Sequence, residues 1–224
     1  TDKLKTTQSH YYGCKNLINL FKNKQINNFI QIGSSMEYGD TNSPHLEKFT
    51  CRPKGNYGIA KYKATKYLEK VGSIKNFPFT IFRLYQIYGP NQSKNRLIPL
   101  VIDSCLKNKN FGCTSGNQIR DFLYVDDLIK LIIKSIKQKP KNKIYNVGAG
   151  NKIKVKFLID MINQKVGCGK PIYGKIKMRK DEMKNNFPNI KRVKTDYSWE
   201  PQHDLESGLK KTISFYRKQL VNQI

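Results

Sequence analysis

The sequence of 224 residues contains no long apolar run. Its longest apolar stretch lies between Leu128 and Ile136, and Lys130 and Lys134 interrupt that stretch. A membrane-spanning helix requires about 20 predominantly apolar residues, so we predict no membrane segment. The first five residues contain no apolar core of a secretion signal. We therefore expect a cytoplasmic protein.

The sequence also has none of the common metal-binding or disulfide spacings. Its five cysteines include no C-x-x-C pair, and its three histidines form no H-E-x-x-H motif. Such spacings mark zinc sites and redox centres. We expect free thiols in a reducing compartment and no bound metal.

Acidic residues are scarce. Sixteen Asp and Glu stand against 42 Lys and Arg, which gives a formal net charge of +26. Such a charge favours polyanionic partners, but only 7 of these cations are Arg, the side chain that phosphate and base recognition favours. The lysines are spread along the chain, and Asn and Ile, whose codons are AT-rich like those of Lys, are abundant. Genome composition accounts for the charge, so we expect small anionic substrates such as nucleotide diphosphates rather than nucleic acid.

Strand-like and helix-like segments alternate along the chain. Apolar residues make up 38% and charged residues 26% of the sequence, which is typical of a globular protein. The patterns predict strands over residues 29–32, 79–84, 119–125, 144–147 and 172–178, and helices over 11–22, 57–71, 97–107, 126–137, 155–166 and 205–220. This alternation indicates an α/β fold with a mainly parallel sheet. In such a sheet, ligands bind at the carboxyl ends of the strands.

Tyr57 and Lys61 stand four residues apart in a predicted helix, so both side chains lie on one helical face. A nearby ammonium group stabilises a phenolate. A tyrosine in that environment can exchange a proton with a sugar hydroxyl at neutral pH. The spacing Y-x-x-x-K alone is a weak motif, because ordinary amphipathic helices often contain it.

Four further motifs occur in a fixed order around this pair. S-S-x-x-Y-G occupies residues 34–39, R-x-x-x-x-Y-G-P residues 83–90, R-D-F-x-Y-V-D-D residues 120–127 and Y-N-V-G residues 145–148. Together with Y-x-x-x-K, the set resembles the extended short-chain dehydrogenase/reductases, specifically their NAD-dependent nucleotide-sugar epimerase/dehydratase group. The resemblance spans about residues 10–150, and a weaker one continues to the last predicted helix.

The resemblance implies catalytic and cofactor-binding roles. Tyr57 matches the general acid/base, and Lys61 matches the residue that stabilises its phenolate and holds the nicotinamide ribose. Ser34 matches the catalytic serine or threonine, with Ser35 as a close rival. The residues at positions that contact NAD or NADP are Ile32, Gly33, Ser34, Tyr57, Lys61 and Leu84.

Further residues match positions that bind a nucleotide-diphosphate sugar. Gln86 stands in the place of a substrate-binding Asn; its amide has similar hydrogen-bonding capacity but a longer reach. Arg96 and Leu97 match a segment that closes over the nucleotide. The residues implied at the substrate are Ser35, Gln86, Arg96, Leu97, Arg120 and Arg179.

Arg120 and Arg179 match basic side chains that pair with the diphosphate, for which a planar guanidinium is well suited. An alternative for Arg120 is a surface ion pair with Asp121. For Arg179 a purely structural role is equally open.

The sequence departs from the family in two ways. Dehydratases usually carry Asp-Glu after the catalytic threonine, where this chain has Ser35 and Met36, so dehydration is disfavoured. The family also begins with a βαβ unit carrying G-x-x-G-x-x-G, which cradles the cofactor pyrophosphate, and no such glycine cluster occurs here. We therefore expect a partial Rossmann fold, a doubly wound parallel sheet without its first βαβ units, with a smaller α/β substrate-binding domain.

Residues 1–95 are expected to form the last part of the NAD(P)-binding domain, and residues 96–224 the substrate-binding region, with about 119–150 partly returning to the first domain. The resemblance implies a nucleotide-sugar 4-epimerase or 4-keto reductase that serves cell-surface polysaccharide synthesis. It also implies a homodimer, in which Ala60, Ala64 and Tyr67 are candidate interface residues. The alternative is a non-catalytic fragment or binding protein on the same fold.

Overall fold

A computed structural model of the chain describes residues 2–179 and 182–221. A π-helical turn, Gln8–Tyr12, joins the first two helices. The helices are α1 Lys3–Thr7, α2 Gly13–Phe21, α3 Gly55–Lys75, α4 Leu97–Leu106, α5 Val125–Lys137, α6 Val155–Val166, α7 Lys191–Tyr197 and α8 Leu205–Val221. The strands are β1 Phe29–Ser34, β2 Phe79–Leu84, β3 Gln86–Tyr88, β4 Asn110–Gly112, β5 Ile119–Arg120, β6 Phe122–Tyr124, β7 Lys143–Val147, β8 Ile153–Lys154, β9 Lys170–Ile172 and β10 Asn185–Asn186.

The main sheet is parallel and has the strand order β1-β2-β7. Successive residues of β2 point to opposite faces of it. Ile81 joins a core with α2 and α3 on one face, whereas Phe82 joins a core with α5 and α7 on the other. Helices on both faces of a parallel sheet confirm the α/β Rossmann-type fold predicted from the sequence. Within the described residues, β1 forms an edge of this sheet.

A third core lies among α4, α6 and α8, with buried residues such as Ile102, Leu158 and Leu209. Three small sheets accompany it, with the orders β10-β5-β8, β3-β6 and β4-β9. The pair β3-β6 continues from the carboxyl end of β2. This arrangement sets β5 and β10 beside the ends of the main strands.

Two strand predictions are wrong in detail. The expected strand 119–125 is interrupted at Asp121, because β5 pairs with β10 and β8 while β6 pairs with β3. Of the expected strand 172–178, only Ile172 is in a strand. The chain turns next at Tyr173 and Gly174, where Gly174 has a φ of +79°.

Candidate active site

Helix α3 sets Tyr57 and Lys61 beside the end of β1. The Lys61 Nζ donates a hydrogen bond of 2.9 Å to the carbonyl oxygen of Ile32 and lies 5.8 Å from the centre of the Tyr57 ring. Tyr57 is 36% exposed, so its phenol can meet a ligand. Burial lowers the pKa of Lys61, and the carboxylate of Glu37 opposes that effect.

The start of α3 lies directly against the loop that follows β1. A Cβ added at Gly58 would stand 2.6 Å from the carbonyl oxygen of Met36. Real Cβ atoms do not approach an oxygen so closely, so a glycine is needed there. The glycine after Tyr57 therefore lets helix α3 approach residues 34–39, the serine loop.

The serine loop is fixed by reciprocal capping. The Ser34 Oγ accepts a hydrogen bond of 3.2 Å from the Met36 backbone N–H, and the Glu37 carboxylate accepts one of 2.8 Å from the Ser34 N–H. This is the capping-box arrangement. Because the Ser34 hydroxyl uses an acceptor lone pair here, its proton stays free to be donated.

Glu37 is completely buried and pairs with Arg83 of β2 at 2.9 Å. The guanidinium also lies 4.7 Å over the Tyr38 ring. Burial raises the pKa of Tyr38 to about 12, and Arg83 opposes that effect. The sequence shows this arginine as the first residue of R-x-x-x-x-Y-G-P, yet no local pattern reveals its partner 46 residues earlier.

A neutral histidine lies behind the serine loop. His45 stacks on Tyr38, with ring centres 4.4 Å apart, and burial lowers its pKa to about 4. Its Nε2 lies 3.2 Å from the carbonyl oxygen of Thr41, which can only accept, so the proton sits on Nε2. The Nδ1 then accepts the hydrogen bond of 2.8 Å from the Tyr85 hydroxyl.

Asn186 contacts Ser35 and pairs with the strand that carries Arg120. The strand residues Asn186 and Arg120 are partners in β10 and β5, and the Asn186 Nδ2 donates a hydrogen bond of 3.1 Å to the Ser35 Oγ. Asn186 is 3% exposed, and its Oδ1 has no hydrogen-bond partner among the described residues. The sequence analysis missed Asn186; only its position in a short polar strand could have indicated it.

The alternative considered for Arg120, a surface ion pair with Asp121, is wrong. Arg120 is buried and pairs with Glu182 at 2.8 Å. The Asp121 carboxylate instead accepts hydrogen bonds of 2.7 Å from the N–H groups of Ala149 and Asn151. Burial raises the pKa of Asp121 to about 6, although these N–H groups oppose that effect.

The other substrate-binding candidates lie on the surface. Gln86 is exposed at the start of β3, and Arg96 and Leu97 are exposed where α4 begins. Arg179 is exposed as well, and its carbonyl oxygen accepts a hydrogen bond of 3.1 Å from the N–H of Glu182. The backbone thus connects Arg179 to the residue that pairs with Arg120.

The residues around the end of β1 fit one end of a dinucleotide. Ile32 and Tyr57 are each 36% exposed there, and Leu84 is half-buried in the neighbouring strand. A Cβ at Gly33 would lie 2.7 Å from the Glu37 Oε1, so Gly33 can meet a cofactor only through its backbone. These residues fit a nicotinamide and its ribose, whereas no glycine cluster for a pyrophosphate occurs in the sequence.

Neither metal ligands nor a membrane segment were found in the described ranges. Residues 2–179 and 182–221 contain no group of three or more His, Cys, Asp or Glu side chains placed to hold a metal ion. None of the helices in those ranges is long and apolar enough to cross a membrane.

Two proteins similar to this chain are enzymes of nucleotide-sugar metabolism by name. The putative UDP-glucose 4-epimerase of Methanocaldococcus jannaschii is 29% identical over 92% of this chain and 68% of its own length. The CDP-abequose synthase of Salmonella typhimurium is 29% identical over 83% of this chain and 61% of its own length. The chain thus spans about two thirds of the lengths of these relatives.

Solved structures share the fold. UDP-glucose 4-epimerase of Thermotoga maritima, determined with UDP-glucose, has a TM-score of 0.92 and 24% identity over 98% of this chain and 72% of its own. RMD of Pseudomonas aeruginosa, complexed with NADPH, has a TM-score of 0.87 and 20% identity over 97% of this chain and 76% of its own. The model of the NAD dependent epimerase/dehydratase family matches residues 1–148, about two thirds of the chain, and the chain belongs to that family.

Proposed function

We propose that this chain carries the proton-transferring and substrate-binding part of an NAD(P)-dependent nucleotide-sugar 4-epimerase or 4-keto reductase. The observation that supports it is the placement of Tyr57 and Lys61 beside the end of β1 and the loop that carries Ser34 and Ser35. A phenol, an ammonium and hydroxyls at the carboxyl end of a strand form a suitable site for proton exchange with a sugar alcohol.

In the proposed mechanism, Tyr57 takes a proton from the C4 hydroxyl of the sugar, and Lys61 stabilises the phenolate. Ser34 donates a hydrogen bond to the same sugar oxygen. NAD or NADP, when bound, would accept a hydride from the sugar carbon or donate one to it. In a 4-epimerase, the keto sugar rotates before the hydride returns to its other face, and Tyr57 returns the proton. A 4-keto reductase performs only the reduction, in which Tyr57 donates a proton.

The proposed cofactor position is the end of β1. Lys61 and Tyr57 would hold the nicotinamide ribose, and Ile32, Gly33, Ser34 and Leu84 would line the nicotinamide. These residues belong to range 1–95, which we propose as part of the cofactor domain. Range 96–224 is then the substrate-binding region, with about 119–150 partly in the cofactor domain.

The proposed substrate is a nucleotide-diphosphate sugar, as in the names of the relatives. Arg120 and Arg179 would pair with the diphosphate, and Arg96 and Leu97 would cover the nucleotide. Gln86, together with Ser35, would hydrogen-bond the sugar. The Arg120 guanidinium already donates to the Glu182 carboxylate and to the carbonyl oxygens of Ile119 and Lys184, so its remaining N–H groups would hold the phosphate.

Dehydration fits the site less well. Elimination of water requires a free carboxyl group near the sugar, and the serine loop offers only Glu37. This carboxylate is buried and held by Arg83 and the Ser34 N–H. Some curated relatives are dTDP-D-glucose 4,6-dehydratases, for example the human protein at 25% identity, so a dehydratase assay belongs in the test.

We also propose a homodimer. Ala60 and Ala64 are buried within the chain itself, and Tyr67 is half-buried, so the alanines are core rather than interface. Exposed apolar side chains on the neighbouring helix α2, Leu17 and Leu20, supply a surface for a second copy. The variant Leu20→Glu, which introduces a charge into this surface, should then give a monomer by light scattering. An unchanged mass would contradict this interface.

A second candidate function is a binding protein without catalysis. The lack of a glycine cluster for the pyrophosphate favours it. Retention of Tyr57, Lys61 and Ser34 in mutual proximity favours the enzyme.

The test is nucleotide-sugar turnover in a longer version of the protein that binds NAD(P). UDP-, CDP- and dTDP-sugars are offered, and 4-epimers, 4-reduced sugars and dehydration products are separated by chromatography. We expect Tyr57→Phe to lose at least about 100-fold in kcat, and the matched control Tyr62→Phe in the same helix to retain activity. Unimpaired turnover by Tyr57→Phe would remove it as the acid/base.

A further inference from the structure

A titratable side chain that the proposed mechanism does not use lies against Tyr57. The imidazole of His10 meets the Tyr57 ring edge to face, with ring centres 5.0 Å apart and an angle of 89° between the planes. Edge-to-face contact is a preferred geometry of aromatic pairs. His10 therefore restrains the plane of the phenol from a second helix.

A local irregularity of the helix accompanies this contact. His10 lies in the π-helical turn Gln8–Tyr12, where the Gly13 N–H donates to the carbonyl oxygen of Gln8, five residues earlier. A π turn takes an extra residue, so it changes the direction of the side chains around it, and such turns are frequent at functional sites. The turn is thus an uncommon local feature located where a side chain meets the candidate acid/base.

His10 also lies in the electrostatic field of the Lys61 ammonium. Partial burial lowers the pKa of His10, and Lys61 lowers it further. Both effects favour the neutral imidazole. A proton on it would place a second positive charge beside Lys61, with no carboxylate among the groups that act on His10.

The other titratable groups around the contact are few. From α3, Tyr57 and Lys61 face His10. From α2, the Cys14 thiol interacts with Lys61, and burial raises the pKa of this thiol to about 11, which keeps it neutral. From the serine loop, Glu37 acts on Lys61, but its charge is already paired with Arg83. None of these groups neutralises a protonated His10.

We propose that His10 is a positioning residue of the Tyr57–Lys61 pair. Its neutral ring holds the phenol beside the ammonium, and its protonation repels Lys61 and opens the pair. The inference rests on the proposed function and adds to it a dependence on mildly acidic pH. A phenol and an ammonium at i and i+4 alone would not show this dependence.

The test is an NMR titration of the 224-residue chain, which contains only three histidines. We expect the His10 pKa to rise in Lys61→Met, or in Lys61→Gln if that variant fails to fold. It should stay unchanged in Lys63→Met, which removes an exposed ammonium from the same helix. The Tyr57 ring signals, assigned by their loss in Tyr57→Phe, should shift at the His10 midpoint.

His10→Phe separates the effect of protonation from that of ring packing. This variant keeps a ring against Tyr57 but carries no titratable nitrogen, so the Tyr57 signals should lose the shift at that midpoint. A His10 pKa that is the same with and without Lys61 would overturn the inference. It would also be overturned if the Tyr57 signals of the unmodified chain showed no shift at the His10 midpoint.

Turnover measurements test the proposed function separately. If every nucleotide sugar is left unchanged, the proposed function fails, while the NMR result on His10 still stands by itself. With turnover, the rate should fall on the acid side at the His10 midpoint, and His10→Phe should retain its rate there. The same acid limb in both proteins would overturn the role of His10 and leave the proposed function intact.

Discussion

The Glu37 carboxylate lies 2.9 Å from the Arg83 Nε, and both side chains are almost fully buried. The second oxygen of the same carboxylate accepts the Ser34 N–H. One buried ion pair therefore connects β2 to the backbone of the serine that we propose to hold the sugar oxygen. Its charge balance supports both the stability of the sheet and the shape of the site.

Removing the charge of Glu37 should therefore destabilise the chain strongly. In Glu37→Gln, the Arg83 guanidinium stays buried without a counter-charge, and such losses cost about 3 kcal/mol or more. The free energy of unfolding, measured by urea denaturation, should fall by that amount.

An exposed ion pair provides the control for this prediction. Lys66 and Glu69 are 2.8 Å apart on the surface of α3, so Glu69→Gln should cost under about 1 kcal/mol. The double variant Glu37→Met/Arg83→Met removes both buried charges and should recover part of the loss. Equal effects of Glu37→Gln and Glu69→Gln would show that the buried pair is not essential.

Two helical glycines should respond in opposite ways to alanine. A Cβ at Gly58 would meet the Met36 carbonyl oxygen at 2.6 Å, whereas a Cβ at Gly13 finds its nearest neighbour, the Gln8 oxygen, at 3.6 Å. Alanine favours a helix over glycine by about 1 kcal/mol, so Gly13→Ala should stabilise the chain by up to that amount.

In Gly58→Ala the clash outweighs this gain, because α3 must move away from the serine loop. We expect a net loss of about 2 kcal/mol and a changed circular-dichroism melting curve. If both variants are equally stable, the close approach of α3 to Met36 is incorrect.

The stability of the chain should decrease below neutral pH because of His45. Its pKa in the folded protein is about 4, below the ordinary value of about 6.5. As the pH falls, the unfolded chain binds this proton first, so unfolding becomes easier between about pH 6.5 and pH 4. From pH 7 to pH 5 the loss amounts to about 2 kcal/mol.

Asp121 acts in the opposite direction. Its pKa is raised to about 6, so the folded chain takes up that proton first, and this stabilises it as the pH falls. The effect of His45 is therefore read as a difference: His45→Asn should lose about 2 kcal/mol less than the unmodified chain between pH 7 and pH 5. Parallel stability curves for the two proteins would argue against a neutral His45.

The sequence predicts features of the site that depend on local spacing. Tyr57 and Lys61 share a face because helical periodicity alone determines it. The order of strands and helices follows from apolar patterns for the same reason. The confirmed strand β2, Phe79–Leu84, has an apolar or β-branched run that only Arg83 interrupts.

The parts that the sequence could not predict depend on partners far along the chain. Glu37 and Arg83 are 46 residues apart, and Asp121 holds the loop at Ala149 and Asn151. The carboxylate of Asp121 faces that loop, and the strand predicted through it divides between two sheets. Asn186 likewise acquires its place beside Ser35 only through tertiary packing.

Cofactor binding should be weak in this chain despite the intact Tyr57–Lys61 pair. The pyrophosphate contributes much of the affinity of a dinucleotide through a glycine-rich helix N-terminus, and the 224 residues contain no such segment. We expect a fluorescence titration with NADH to show a Kd above about 1 mM, or less than about 4 kcal/mol of binding free energy.

Circular dichroism must show that the chain is folded. Lys61→Ala then serves as the matched control, because it removes the one cation expected at the nicotinamide ribose. Saturable micromolar binding that Lys61→Ala weakens would contradict the prediction, since the cofactor site would then form without a glycine cradle. Nucleotide-sugar assays on the chain itself would in that case become the direct test of its activity.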